Sequence, residues 1–377
     1  MKIAIIGTRG IPNRYGGFEQ FASRIGPMLV KRGYQVLVYN PSSHEWKRDD
    51  WQGVEIVRKY DGHKFGQTMG QFIYDLLCIL DARKRKPDII LQLGYTSSSI
   101  WSFLFPRCSY VVTNVDGLEW KRNKYNRFSR MFLRFAEKLA VNKSHILIAD
   151  SIRIKNYIKD KFGKEPLYIP YGATLFKYPD PTIPINYGLT PGDYDLMISR
   201  FVPENHIEVI IKGFIDARLN RKLVIVGMDG GNYSKRLYKK YHSPVIIFKE
   251  GIYDLKTLNN LRYYSNLYFH GHSVGGTNPS LLEAMACRCL IIAHNNIYNK
   301  EVLDGNAYYF DNESDISFLL NLKLIKKDHF PFLDRNSRKL KEVYNWDIII
   351  NQLEDNIIRT KKSSFVYQQG IYHEHRL

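Results

Sequence analysis

The sequence predicts an α/β protein built from two doubly wound domains, each with a mostly parallel sheet. Short apolar runs that end in glycine or a polar residue alternate with segments of helical periodicity, which is the pattern of βαβ units. The chain has 377 residues, more than one hydrophobic core usually supports, so two domains are expected. In doubly wound sheets, ligands bind at the carboxyl ends of the strands. The loops that follow the apolar runs are therefore the candidate functional segments.

The first βαβ unit lies at the N-terminus. MKIAIIGTRG contains a buried strand that ends at Gly7. A helix follows, with Phe21, Ile25 and Leu29 on one face, and it ends at Gly33 before the strand QVLVY.

Nine further buried strands are predicted, four in the first half of the chain and five in the second. They are PDIILQLG, SYVVTNV, SHILIADS and EPLYIPYG, then YDLMISR, KLVIVGMDGG, PVIIFKEG, SNLYFHGH and CLIIAHN. Prolines and glycines cluster in LFKYPDPTIPINYGLTPGDYD, which indicates an irregular boundary. The predicted organisation is a first domain at 1–172, a linker at 173–194, a second domain at 195–345, and a terminal helix with a tail at 346–377.

The net charge of +18 is concentrated in the first half of the chain. Residues 1–170 hold 29 Lys and Arg against 15 Asp and Glu, whereas residues 171–377 hold 26 against 22. Such a field attracts nucleic acid, an acidic membrane surface or phosphorylated substrates. No apolar run approaches the roughly 18 residues of a membrane span, and the N-terminus lacks signal-peptide features. A cytoplasmic protein is expected, with its four cysteines as buried, reduced thiols.

The first loop that could carry chemistry is GTRGIPNRYGG, residues 7–17, between the first strand and the first helix. Gly16 and Gly17 would let the backbone approach a phosphate at the positive end of the helix dipole. Arg9 and Arg14 add positive charge. The loop has neither dinucleotide-binding nor Walker A spacing, and a plain tight turn is the alternative.

The second loop follows the strand SYVVTNV and carries two carboxylates, Asp116 and Glu119. A carboxylate at a strand end can position or deprotonate a hydroxyl group. The alternative is that Asp116 caps the following helix.

The segment after these carboxylates predicts a basic helix with an aromatic stripe. Phe128, Met131, Phe132 and Phe135 fall at helical spacing and are flanked by arginines and lysines. Such a helix suits an anionic membrane surface. The membrane-facing residues are predicted to be Arg127, Phe128, Arg130, Phe132 and Arg134. The alternative is that the stripe belongs to the core and the charges form a solvated face.

The second domain contributes two more loops. Arg200 ends the strand YDLMISR and could pair with a phosphate, or it could be an ordinary surface arginine. HSVGGTNPSLLEAMA then combines a glycine turn with a single carboxylate, Glu283, inside an apolar helix. A carboxylate held there can accept hydrogen bonds from two sugar hydroxyls, such as those of a ribose.

Four stretches together resemble the retaining glycosyltransferases of family four: IGTRGIPNRYGGFE, NVDGLEWKR, SRFVPEN and GHSVGGTNPSLLEAMA. Within that family they are most similar to bacterial capsule and cell-wall rhamnosyltransferases. The resemblance runs from Met1 to about residue 305 and, through the Trp346 helix, nearly to the end. It implies the GT-B fold, in which two Rossmann-like domains face a central cleft and the last helix crosses back to the first domain.

The resemblance also assigns residues to the nucleotide-sugar donor. Glu283 matches the carboxylate that binds the ribose, and Arg200 matches the arginine that binds the diphosphate. Gly16 and Gly17 match the glycine pair that covers the phosphates. The loop whose amides contact the donor sugar and the diphosphate is matched by Gly275, Gly276, Thr277 and Asn278.

Two positions depart from the family pattern. The family usually pairs two glutamates with seven residues between them, and the first would fall at Gly275. A lysine usually follows the arginine five positions later, and this chain has Asn205 there. The missing glutamate disfavours a standard glucosyl or GlcNAc donor and fits a 6-deoxy sugar better. Asn205 leaves more of the diphosphate charge to Arg200, the loop amides, and Arg9 or Arg14.

The activity that the resemblance implies is transfer of L-rhamnose, with retention, from dTDP-β-L-rhamnose to a polyprenyl-diphosphate-linked saccharide of a bacterial surface polysaccharide. Asp116, and secondarily Glu119, would position the acceptor hydroxyl. The enzyme would associate peripherally with the anionic inner face of the plasma membrane. No cofactor and no metal is expected, because the one Asp-x-Asp, Asp193-Tyr-Asp195, precedes a strand and is interpreted as structural.

The sequence leaves other functions open. The chain could use another nucleotide sugar, act as a nucleotide-sugar epimerase of the same fold, or be a non-catalytic binding scaffold. A nucleic-acid binder is disfavoured because the basic residues form no recognised RNA- or DNA-binding motif.

Overall fold

The computed structural model describes residues 1–115, 117–121, 125–227 and 231–359, apart from the side chains of His63 and Gln67. The chain divides into two compact units. Within the described residues, the first comprises Met1–Tyr171 together with 346–359, and the second comprises Gly172–Asn345. The predicted linker, 173–194, is counted within the second unit.

The first unit is built on an eight-stranded sheet. Its strands are β1 (Lys2–Ile6), β2 (Gln35–Pro41), β3 (Asp50–Trp51), β4 (Val54–Lys59), β5 (Ile89–Gln92), β6 (Tyr110–Asn114), β7 (Ile146–Ala149) and β8 (Leu167–Tyr168). Its helices up to Tyr171 are α1 (Gly17–Lys31), α2 (Gln67–Arg85), α3 (Arg127–Lys143) and α4 (Ile152–Phe162), with 3₁₀ turns at His63–Phe65, Ser98–Leu104 and Glu119–Lys121. The strand order is β3-β4-β2-β1-β5-β6-β7-β8, and only the β3–β4 pair is antiparallel.

The order of these strands reverses between β1 and β5, which makes this the switch point of the first sheet. The chain moves from β1 to β2 on one side and later returns to β5 on the other. The loops that follow β1 and β5 touch through Gly7 and Gly94: a Cβ on either residue would lie 2.4 Å from the backbone of the other. Ligands bind at such points in open α/β sheets.

The second unit has a six-stranded sheet whose pairs are all parallel. Its strands are β9 (Tyr194–Ile198), β10 (Lys222–Val226), β11 (Ile246–Lys249), β12 (Leu267–His270), β13 (Leu290–His294) and β14 (Tyr308–Phe310). Its helices are α5 (Thr182–Asn186), α6 (Ile207–Asp216), α7 (Asn232–Lys240), α8 (Leu255–Tyr264), α9 (Pro279–Ala286), α10 (Ile297–Leu303), α11 (Glu313–Asn321) and α12 (Phe330–Glu342), with 3₁₀ turns at Pro203–Asn205 and Lys326–His329. The order β11-β10-β9-β12-β13-β14 places the switch point between β9 and β12.

An ion pair supports the β9–β12 junction from the end opposite the functional loops. Asp195 of β9 is fully buried, with Arg221 Nη2 2.8 Å from its Oδ2. The same carboxylate accepts a hydrogen bond from the backbone N–H of Leu267, the first residue of β12. Burial raises the pKa of Asp195 to about 6, against the charge of Arg221, which lowers it. Asp195 is therefore a structural residue, as the sequence predicts for the Asp-x-Asp.

The terminal helix α13 (Trp346–Leu353) continues as a π-helical turn, Glu354–Ile358, and packs on the first unit. The ring of Trp346 lies 5.9 Å from that of Phe21, measured between centroids. Glu354 is 2.5 Å from Arg32 Nη1 and accepts a hydrogen bond from the Tyr34 hydroxyl at 2.6 Å. The predicted return of the last helix to the first domain is confirmed, as is the fold class of Rossmann-like α/β units. The strand predictions missed β3, β4 and β14.

We expect Arg221→Ala to lower the free energy of unfolding of the second unit by about 3 kcal/mol, because removing one partner leaves a buried carboxylate uncompensated. Hydrogen exchange of the amides of β9, β10 and β12, followed by mass spectrometry, measures this locally. The loss should shrink below about pH 6, where the Asp195 carboxyl is already protonated in the folded wild type. Lys222→Ala, at the exposed neighbouring position, is the matched control. Equal effects of the two substitutions would contradict this account.

Candidate active site

The loop that follows β9 places Arg200 at the switch point of the second sheet. Arg200 is half-buried, and its carbonyl oxygen accepts hydrogen bonds from the Val202 N–H at 2.9 Å and from Asn205 Nδ2 at 2.8 Å. Asn205 is buried. Its side-chain amide therefore stabilises the turn that presents Arg200. Asn205 is thus a neutral side chain bonded to its own loop.

The loop that follows β12 leads into the N-terminus of α9. Gly275 has φ +132°, a backbone conformation that side chains rarely adopt, and a Cβ there would meet no atom within 4 Å. Conformation rather than crowding therefore favours glycine at this position. Asn278 caps α9, its Oδ1 accepting from the Ser280 N–H at 2.9 Å. Free backbone N–H groups and the positive end of the dipole make such a terminus a favourable place for an anion.

These two loops contact each other directly. A Cβ on Gly271 would lie 2.0 Å from the carbonyl oxygen of Asn205, so the two backbones are in van der Waals contact. The Ser273 N–H and hydroxyl both donate to the Glu204 carbonyl, at 3.1 and 3.0 Å. His206 Nδ1 lies 2.9 Å from the carbonyl oxygen of Gly271. The structure thus brings the Arg200 loop and the glycine loop before α9 together.

A buried arginine, which sequence reasoning missed, holds Glu283. Arg262 of α8 places Nη2 2.6 Å from Glu283 Oε2, with side-chain exposures of 1% and 18% respectively. Burial would lower the pKa of Arg262, but the charge of Glu283 raises it above its usual value. Arg262 also donates to Asn259 at 3.1 Å. The guanidinium of Arg262 therefore orients the Glu283 carboxylate. In the sequence, Arg262 is recognisable only as an arginine within an amphipathic helix, which does not indicate that it is buried.

Four histidines, also missed, gather at the carboxyl edge of the second sheet. His206 precedes α6, His270 ends β12, His272 follows it, and His294 ends β13. The rings of His206 and His294 lie 4.1 Å apart, and those of His270 and His272 are stacked at 4.4 Å. Burial, followed by neighbouring His272, His294 and Arg262, holds the pKa of His270 well below its usual range. Burial and then His206 lower the pKa of His294 to about 4.

In the first unit, the predicted phosphate loop is rigidly tied to its surroundings. The Arg9 N–H donates to Glu19 Oε1 at 2.7 Å, and Ile11 exchanges two hydrogen bonds with the side chain of Asn40. Burial raises the pKa of Glu19, against the lowering effect of the backbone hydrogen bond from Arg9. The Arg9 guanidinium lies 3.9 Å above the centre of the Tyr15 ring.

Gly16 and Gly17 lie where α1 begins, as the sequence predicts. Gly16 is its N-cap, in an extended conformation, and Gly17 is the first helical residue. A Cβ on Gly16 would come 3.3 Å from Glu19 Oε2. Arg14 pairs with exposed Glu45 at 3.4 Å, an interaction that contributes little stability.

Asp116 lies outside the described residues. Glu119 is half-buried in the 3₁₀ turn Glu119–Lys121. The turn is anchored by Trp120, whose Nε1 donates to the fully buried Glu137 at 3.1 Å and whose ring lies 4.3 Å below the Arg134 guanidinium. Glu137 also accepts from Lys161 Nζ at 2.6 Å.

The aromatic stripe of α3 is exposed, so the alternative that it belongs to the core is wrong. Phe128 and Met131 are 78% and 66% exposed, and Phe132 and Phe135 are also exposed. The helix instead buries its opposite face, which consists of Leu133, Ala136, Glu137, Ala140 and Val141. Phe132 packs edge-to-face on Phe72 of α2, at 5.7 Å between ring centroids.

Three further expectations concern cysteines, metals and membrane spans. Cys78, Cys287 and Cys289 are free and buried, but Cys108 is exposed, contrary to the prediction. No group of three or more His, Cys, Asp or Glu side chains that could hold a metal ion occurs within the described ranges. In the same part of the chain, every helix is too short or too polar to cross a membrane.

Two protein families match parts of the chain. Residues 191–342 match the family "Glycosyl transferases group 1", and residues 108–174 match a domain of unknown function, DUF1972. A comparison with curated proteins gives no match.

Solved structures match nearly the whole chain at low sequence identity. Sucrose-phosphate synthase from Thermosynechococcus elongatus has a TM-score of 0.78 at 17% identity, covering 96% of this chain and 99% of that one. Anabaena Alr3699/HepE, in complex with UDP and glucose, has a TM-score of 0.76 at 16% identity, covering 95% and 100%. A glycosyltransferase from Rickettsia africae has a TM-score of 0.67 at 12% identity, covering 96% and 97%.

At these identities the structural likeness establishes the fold, which is GT-B. The family match covers most of the second unit, including the Arg200 loop and the glycine loop before α9. The match and the fold together support a GT-B glycosyltransferase that resembles the glycosyl transferases of group 1.

Proposed function

We propose that this chain is a retaining glycosyltransferase that transfers L-rhamnose from dTDP-β-L-rhamnose to a polyprenyl-diphosphate-linked saccharide in bacterial surface polysaccharide synthesis. The observation that carries the glycosyl-transfer part is the meeting of two loops at the β9–β12 switch point, within the segment that matches group 1. These loops bring an arginine, a helix N-terminus and an oriented carboxylate to one sheet edge.

The second unit binds the nucleotide sugar in this proposal. Glu283, fixed by Arg262, accepts hydrogen bonds from the two ribose hydroxyls. Arg200 and the backbone amides of residues 275–278 hold the diphosphate. The N-terminus of α1, with Gly16 and Gly17, is a second anion-binding end, and we assign it and the nearby Arg9 and Arg14 to phosphate groups.

Transfer proceeds with retention by front-face attack in this mechanism. The acceptor hydroxyl approaches on the leaving-group side of an oxocarbenium-like transition state, and its proton passes to the departing diphosphate oxygen. Stabilising the negative charge that develops on the diphosphate is then the main catalytic task. We assign Asp116 to positioning the acceptor hydroxyl, with Glu119 as the second candidate.

The rhamnosyl donor is proposed from the resemblance of the four sequence stretches and from Gly275. The glutamate that grips sugar hydroxyls in the family is replaced there by a glycine whose positive φ would strain any other side chain. A 6-deoxy donor sugar, which has one hydroxyl fewer, is consistent with the loss of this hydroxyl-binding glutamate.

The proposals of a lipid-linked acceptor and of membrane association are based on the exposed face of α3. Phe128, Met131 and Phe135 project from a helix that carries Arg127, Arg130 and Arg134. Apolar side chains enter the interface of a bilayer while the arginines attract anionic lipids. The residues that would contact the membrane are thus on the first unit, which also holds most of the positive charge.

We expect dTDP-rhamnose to bind in a donor panel with UDP-glucose, UDP-GlcNAc and GDP-mannose, measured by saturation-transfer NMR. Glu283→Gln should weaken binding at least about tenfold, because each hydrogen bond to a charged group contributes roughly 1.5–3 kcal/mol. Glu250→Gln, at an exposed position of the same unit, is the matched control and should bind as the wild type does.

The panel also separates the alternatives. Preference for a UDP- or GDP-sugar would keep glycosyl transfer and discard the rhamnosyl donor. Conversion of a bound nucleotide sugar without any acceptor would favour an epimerase. Absence of binding by all four donors would favour a non-catalytic scaffold.

We expect the wild type to co-sediment with phosphatidylglycerol vesicles and much less with phosphatidylcholine vesicles. The double variant Phe128→Ser/Met131→Ser should lose at least about tenfold in partitioning, since burying each such side chain contributes about 1.5–3 kcal/mol. Phe318→Ser/Leu322→Ser, at two exposed apolar positions of the second unit, is the matched control. Equal binding to both lipids, or equal losses in both double variants, would count against membrane docking through α3.

A further inference from the structure

Two of the histidines at the edge of the second sheet, His270 and His272, continue a line of side chains that begins at Tyr268, beneath α9. Side chains two residues apart on a strand point to the same face, so Tyr268 and His270 share one face of β12. His272 follows the strand and stacks on His270, so the three side chains form one column. The Tyr268 hydroxyl lies 2.9 Å from Ser280 Oγ in the first turn of α9, one turn before Glu283. The alternate residues, Leu267 and Phe269, belong to the hydrophobic core. The column therefore extends from beneath α9 to the loop that precedes it.

The neighbours of His272 in the chain place it between the Arg200 loop and the glycine turn before α9. Gly271 lies against the Arg200 loop, with its carbonyl 2.9 Å from His206 Nδ1, and Ser273 donates twice to Glu204 of the same loop. Two residues after Ser273 begins the glycine turn that leads to α9. Asn296 and Asn299 fix the backbone further, each donating to the His272 carbonyl at 3.0 Å. His272 is half-buried and thus has access to solvent.

His270 is a buried polar side chain without a visible structural reason. It is 1% exposed, and neither ring nitrogen has a hydrogen-bond partner among the described residues. Leaving such a group unpaired costs roughly 1–3 kcal/mol, which an apolar side chain would avoid. Its stacked position under His272 gives it a role, because a flat neutral ring fixes the plane of the ring above it.

The charge of the site provides the chemical reason for an imidazole. Asn205 replaces the usual lysine, and its amide is bonded to the Arg200 carbonyl. A nucleotide-sugar diphosphate carries two negative charges, and the leaving group gains a further one as the glycosidic bond breaks. One arginine and a helix N-terminus compensate this charge only partly, whereas an imidazolium supplies a second cation with a directional N–H donor.

We propose that His272, held in place by its stack on His270, donates a hydrogen bond to the diphosphate of the nucleotide sugar and acts as the second cation of the donor site. This inference rests on the proposed function, since it names a further residue of the same donor site. His270 stays neutral, because two charged rings at this separation would repel each other. The imidazole takes up its proton from water as the diphosphate arrives.

The charged and titratable groups around this pair come from every neighbouring element. Arg262 lies on α8, Glu283 on α9, His206 before α6, and His294 at the end of β13. Asp311, after β14, acts on His294. Arg262 is paired with Glu283, so a carboxylate already compensates its charge.

The test is calorimetric titration of the wild type, His272→Gln and His242→Gln with the nucleotide sugar that the donor panel selects and with its nucleoside monophosphate. His242 is exposed and serves as the matched control. His272→Gln should weaken nucleotide-sugar binding by about tenfold or more, as expected for a hydrogen bond to a charged group, and change monophosphate binding less than about twofold. Equal losses for both ligands would indicate a general distortion of the loop and overturn the proposal.

Proton uptake gives a measurement that a purely structural role would not change. Repeating the titrations at pH 7.5 in two buffers of different ionisation enthalpy yields the protons bound per nucleotide sugar, whose diphosphate does not itself titrate near this pH. The wild type and His242→Gln should take up protons, and His272→Gln should not. Tight binding by the wild type without proton uptake would overturn the role of His272 while leaving the proposed function intact, even if the variant fails to fold. No binding of any nucleotide sugar by the wild type would overturn both.

Discussion

The contact on which the second unit's site depends is the approach of two backbones at the switch point between β9 and β12. Gly271 lies so close to the Asn205 carbonyl that a single methyl group would force the loops apart. That contact sets the distance between Arg200, which comes from one loop, and the N-terminus of α9, which follows the other. A parallel doubly wound sheet produces such a meeting wherever its strand order reverses. The first unit repeats it, with Gly7 against Gly94.

The Arg262–Glu283 pair adds a second constraint, which is electrostatic. Burying an arginine is costly unless an anion compensates it, and here Glu283 is that anion at 2.6 Å. The pair therefore fixes the direction of the carboxylate within an otherwise apolar helix. A carboxylate held in this way loses little further entropy when sugar hydroxyls bind it. Glu283 thus has two effects: it compensates the charge of the buried arginine, and it is held in one orientation as a hydrogen-bond acceptor.

Much of the fold could be predicted from the sequence, because buried parallel strands are continuous apolar runs and the loops after them contain glycine. The eleven predicted strands, the α1 terminus at Gly17 and the glycine loop before α9 follow from such local patterns. The strands β3 and β14 were missed because they are short edge strands, and β4 was missed because charged residues interrupt its apolar run. Arg262 and the four histidines could not be assigned, because only tertiary contacts distinguish a buried cation or a stacked imidazole from a surface one. The face that α3 buries was equally ambiguous, since aromatic and small residues both recur at helical spacing.

The two departures from the family pattern have a common physical consequence. Compared with the pattern of the family that the chain resembles, Gly275 removes an anion and Asn205 removes a cation. The proposed donor site would therefore keep its overall charge but would bind the diphosphate less strongly. A permanent lysine at position 205, in the same turn as Arg200, would repel that arginine when no donor is bound. Burial and neighbouring groups keep the pKa of His270 well below its usual range, and His272, which stacks on it, carries no permanent charge in our proposal. It acquires charge only when the diphosphate provides a partner. In our proposal, the positive charge of His272 thus lies beside the leaving diphosphate and is present only while the donor is bound.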